Sequence, residues 1–85
     1  MDFLHRDLGQ RRAGEIVEIS LDRRANVRLM DTPNFQNFKA GRQYSFYGGQ
    51  ATQSLTRLSI PRLGRWHVTI DLGGHRGTVR SNVRV

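Results

Sequence analysis

With 85 residues, a net charge of +7 and no cysteine, the chain has room for a single domain, 1–85, and must fold by packing alone, without disulfides or thiolate metal sites. The charged start Asp2-Phe3-Leu4-His5-Arg6-Asp7 and the lack of a long apolar run argue against a secretory leader or a membrane span, so a soluble cytoplasmic protein is expected. Thirteen of the fourteen cationic residues are arginine, Lys39 being the exception; the bias reflects either a GC-rich genome or use of the guanidinium as a planar fork for carboxylate and phosphate.

Alternation of apolar and polar residues dominates the chain, and six runs of strand length can be followed. The first places Val17, Ile19 and Leu21 on one face, opposite Glu18 and Ser20, and ends in the polar turn Asp22-Arg23-Arg24. Val27 and Leu29 mark the second. Between Asp31 and Gly41 the alternation stops: a capping hydroxyl, Pro33 at the first helical position and Gly41 past the end predict one short helical turn. Phe35 and Phe38, three residues apart, share a face of that turn and are expected to close an open end of the sheet pair.

The third run, Gln43 to Tyr47, puts Tyr44 and Phe46 together and ends at Gly48-Gly49. The fourth, Thr56 to Ile60, turns Leu58 and Ile60 inward and stops at Pro61, which has no N–H to offer a ladder. The fifth is the clearest, with Trp66, Val68, Ile70 and Leu72 on the expected core face and His67, Thr69 and Asp71 opposite. The last, Thr78 to Val85, sends Val79, Val83 and Val85 inward and Arg80, Asn82 and Arg84 outward, and is expected to pair with the fifth through the Gly73-to-Gly77 turn. Strands so closely spaced leave no room for crossover helices. The expected fold is therefore all-β, a small antiparallel sandwich or partly open barrel of about six strands with one short helical turn.

No catalytic constellation stands out, because none of Ser20, Ser45, Ser54, Ser59 and Ser81 lies in a glycine-flanked elbow. His67, Asp71 and His75 are the natural metal ligands, but residues four apart on a strand stand about 13 Å apart at ~3.3 Å per residue, so no metal and no cofactor is expected. Gly73-Gly74-His75-Arg76-Gly77 combines flexible backbone amides with an arginine, which suits an anion and equally suits a plain hairpin loop. The pairs Arg11-Arg12 and Arg23-Arg24, with Tyr44, Tyr47 and Trp66 as stacking rings, leave nucleic acid open as a partner.

The stretches Asn26-Val27-Arg28-Leu29-Met30-Asp31, Asn34-Phe35, Tyr47-Gly48-Gly49, Gly64-Arg65-Trp66-His67-Val68 and Ile70-Asp71-Leu72-Gly73-Gly74 resemble a bacterial family, the domain-of-unknown-function 1883 family. The resemblance runs from Phe3-Leu4-His5 to the closing valines. It implies an all-β module found alone or, in longer bacterial proteins, beside a Toll/interleukin-receptor-type signalling domain, and it brings no catalytic residues with it. By analogy such a module recognises a partner or mediates assembly. The function expected is thus non-enzymatic binding or protein interaction through an arginine-rich sheet face, with Arg28, Arg80 and Arg84 as positioning contacts and Arg76 at a loop tip. An anionic ligand or acidic protein surface is the expected partner, with a nucleic-acid-binding module or a small hydrolase or metal-dependent enzyme as alternatives.

Overall fold

The computed structural model describes residues 3–85. In chain order its elements are β1 (Leu4–Arg11), β2 (Ile16–Leu21), β3 (Ala25–Asp31), α1 (Thr32–Ala40), β4 (Tyr47–Ala51), β5 (Leu55–Ser59), β6 (Gly64–Asp71) and β7 (Ser81–Arg84). They build two antiparallel sheets, β1-β6-β3-β4 and β5-β2-β7, and among the described residues no barrel closes. The alternation of the sequence explains the stacking: Val17, Ile19 and Leu21 of the smaller sheet bury themselves against Val27, Leu29, Trp66, Val68 and Ile70 of the larger. Each such aliphatic side chain contributes about 1.5–3 kcal/mol by leaving water.

The far face of the larger sheet, expected to be solvated along His67, Thr69 and Asp71, is buried as well. Helix α1 lies over it. Phe35 and Phe38 pack there with Met30, flanked by Phe3 and Tyr44, as a second apolar cluster, so they cover a sheet face and do not plug an open end. The helix is nine residues long, about two and a half turns, and its cap is the Asp31 carboxylate, which accepts from the Asn34 N–H at 3.2 Å. The Thr32 hydroxyl instead hydrogen-bonds His67. Gly41 ends the helix in the left-handed region at φ 74°.

Three further expectations are corrected. β1 adds a seventh strand; it was hidden because it is a sheet edge with Leu8 as its single buried side chain and a bulge between Asp7 and Gly9. The third run is displaced, since the strand begins at Tyr47 and takes in Gly48 and Gly49, while Phe46 stays exposed. Gly48 is required there because a Cβ would strike the Val27 carbonyl. Finally, β7 pairs with β2, Leu21 opposite Ser81 and Glu18 opposite Arg84, and not with β6. Both sides of β6 are already occupied by β1 and β3, so the chain after Leu72 has to cross to the other sheet. Among the described residues no helix is long and apolar enough to cross a membrane.

Candidate anion-binding end

The crossing from β6 to β7 brings two loops together at one end of the sandwich. Asp22, in the β2–β3 turn, donates its N–H to the Arg80 carbonyl at 3.1 Å, and its carboxylate accepts from the Arg80 N–H at 2.8 Å. Gly77 completes the junction: it lies so close to the Arg23 guanidinium that a Cβ would collide with it, and its φ of 123° suits glycine. Arg23, Arg24, Arg76 and Arg80, all exposed, therefore stand on two loops tied to each other.

Asp22 is the one acidic residue on these segments, and its carboxylate is turned to the Arg80 N–H, so four guanidinium groups face a single negative charge. Asp71, fully buried at the end of β6, accepts through Oδ1 from Asn26 Nδ2 (3.1 Å) and the Gly73 N–H (2.8 Å), and through Oδ2 from Arg28. Elsewhere Asp7, Glu15, Glu18 and Asp31 pair with other arginines. Among the described residues none of Arg23, Arg24, Arg76 and Arg80 forms an ion pair. Beside them opens a cleft of about 910 Å³ with Arg76 in its lining and Phe3, Leu4, Ile70, Leu72 and Val79 as its apolar walls. A smaller groove of about 370 Å³ between β4 and β5, lined by Gly48, Gly49, Gln50 and Leu55, carries no charged side chain.

Of the arginines singled out in the sequence, Arg76 and Arg80 stand on one loop, between β6 and β7, and Arg28 and Arg84 stand elsewhere. Arg28 lies on the helix-covered face of the larger sheet, its side chain only 16% exposed, pairing with Asp71 and lying over the Phe38 and Phe46 rings at 5.6 and 5.5 Å. Arg84, on the smaller sheet, donates to Glu18 at 2.8 Å, as Arg57 does at 2.9 Å. Arg28, Arg80 and Arg84 share no face, because β7 belongs to the other sheet. The gathering includes Arg23 and Arg24 instead. Their doublet in a polar turn was the visible signal; the Asp22–Arg80 tie that joins it to the second loop was not.

The conspicuous histidines also find a place. His5 Nε2 and His67 Nδ1 are 3.0 Å apart, His67 Nε2 is 2.8 Å from the Thr32 hydroxyl, and Phe35 stacks on both rings at 4.1 and 4.6 Å. One proton between the two imidazoles satisfies this contact, whereas two would face each other. Burial holds both groups below the ordinary histidine range, against the pull of the Asp7 carboxylate. The pair fastens α1 to β1 and β6. With both ring nitrogens of His67 and both oxygens of Asp71 already partnered, these two residues do not converge with His75 on an ion, and among the described residues no group of three or more metal-ligating side chains occurs.

The model of the family described as domain of unknown function (DUF1883) matches residues 1–85, the whole chain. The chain belongs to the DUF1883 family. No curated protein and no solved structure matches it.

Proposed function

We propose that this DUF1883 domain is a non-enzymatic, cytoplasmic binding module that engages an anionic ligand or acidic partner surface through the end bearing Arg23, Arg24, Arg76 and Arg80. The observation that carries the reading is the gathering of four exposed arginines, unpaired among the described residues, on loops held together by the Asp22–Arg80 hydrogen bonds. Backbone that is already fixed removes the loop-ordering part of the cost when guanidinium groups close on a carboxylate or phosphate, leaving their side chains to be ordered, and the excess of four cations over one carboxylate draws anions in.

The test uses fluorescein-labelled oligoglutamate and anisotropy. R76E/R80E should weaken binding at least tenfold and remove most of its salt dependence, while the charge-matched R12E/R42E, on other segments, should change it less than threefold. Equal losses in the two variants would reduce the interaction to net charge and reject the site. Tighter binding of a single-stranded oligonucleotide than of oligoglutamate, lost in R76E/R80E, would replace the acidic partner with nucleic acid.

A further inference from the structure

The cleft beside the arginines has a composition of its own. Its apolar walls come from Leu4 and Phe3 at the start of β1, Ile70 and Leu72 at the end of β6, and Val79 in the crossing loop. Leu4 is 46% exposed although it sits on a strand with only one buried side chain. Clefts of this size with a mostly apolar lining and few polar groups are where proteins hold small molecules. Of the two charged residues in the lining, Asp71 is paired with Arg28 and Arg76 is unpaired among the described residues, and Arg80 and Arg23 stand on the adjoining tied loops.

Two features narrow the occupant. The apolar walls are aliphatic apart from Phe3, whose ring is engaged edge-on by Phe35 at 6.3 Å and Phe38 at 5.0 Å, and the one other ring among the described residues of the lining is the His75 imidazole beside Arg76. A nucleobase finds no open phenyl, phenol or indole face among these walls. The one buried carboxylate in the lining, Asp71, has both oxygens occupied by Asn26, Gly73 and Arg28, so it offers no acceptor to a sugar or an amine. The aliphatic walls and the Arg76 guanidinium, with His75 and Thr78 as the remaining polar side chains of the lining, complement a flexible apolar chain ending in an anion.

Building on the anion-binding reading of this end, we propose that the cleft takes a free acyl carboxylate, its chain along Leu4, Ile70, Leu72 and Val79 and its head group on Arg76. Calorimetry with octanoate, decanoate and dodecanoate tests it, each held below its micelle concentration. Affinity should rise with chain length, up to about fourfold for each methylene fully buried, and decanol should bind at least tenfold more weakly than decanoate. L4Q alters an exposed side chain and so spares folding; it should weaken decanoate at least threefold and leave oligoglutamate unchanged, whereas R76E should weaken both.

If oligoglutamate binds and carboxylate affinity is indifferent to chain length or to L4Q, the acyl assignment is overturned and the anion-binding reading survives. Equal binding of decanol and decanoate overturns the role of Arg76 in the cleft. Failure of both probes overturns both readings.

Discussion

Arg28→Met removes one partner of an ion pair whose carboxylate, on Asp71, is completely buried and whose guanidinium side chain is 16% exposed. Breaking a buried pair from one side costs about 3–5 kcal/mol, because the remaining charge keeps its desolvation penalty. Here Asn26 and Gly73 continue to donate to Oδ1, and only Oδ2 loses its donor. The loss should therefore fall at the low end, about 3 kcal/mol, which for a domain of this size lowers Tm by roughly 12–24 °C. Urea denaturation at pH 7, followed by the fluorescence of Trp66, which is 1% exposed, measures it directly. Asp71→Asn keeps the shape and an acceptor, and R28M/D71N should be more stable than the sum of the two single losses by at least ~1 kcal/mol. A loss below about 1 kcal/mol for R28M, or strict additivity in the double variant, would refute the assignment of Arg28 to holding Asp71.

Protonation should reach the histidines before the carboxylates. Both imidazoles are held below 6.5 in the folded state by burial, so the unfolded chain binds more protons as pH drops through 6.5 and stability falls; H5Q/H67Q should flatten urea midpoints between pH 7.5 and 5.5, and an unchanged slope would assign the acid step elsewhere. A second loss should begin below 4.5, since Asp7, Glu15 and Glu18 are held low chiefly by the Gly9 N–H, the Arg12 N–H and the Arg84 guanidinium respectively. Asp31→Ala should cost about 1 kcal/mol by uncapping α1, with Asp31→Asn recovering most of it; a melt equally low for both variants would transfer the effect to the Asp31–Arg62 ion pair.

The legible parts of this fold are those where one face of a strand meets the sandwich core. Val17-Ile19-Leu21 and Trp66-Val68-Ile70 alternate because their other faces were free to be polar, and both strands stand where the alternation puts them. The pattern is silent about what covers the polar face. His67 and Asp71 look solvated on a period-two reading, yet Thr32 and His5 satisfy His67 beneath α1, and Asn26 and Arg28 satisfy Asp71. Edge strand β1 escaped notice for the converse reason: only Leu8 needs to be apolar. Candidate site residues were legible singly, as loop arginines, but their grouping depended on β7 joining β2, a choice made by occupancy of the neighbouring sheet and not by β7 itself.

The order in which strands alternate between the sheets bears on how the domain folds. Among the described residues only β3 and β4 are both neighbours in sequence, apart from the intervening helix, and partners in a sheet; every other ladder joins distant segments. Loop closure must precede reward, so folding should belong to the slow, millisecond-to-second regime of high-contact-order β proteins. β1 feels this most, since it is made before the other strands of the domain while its partner β6 starts at Gly64. The charged side chains and the Asp7–Gly9 bulge that conceal β1 in the sequence suit a strand that must stay soluble and unpaired until β6 has been made.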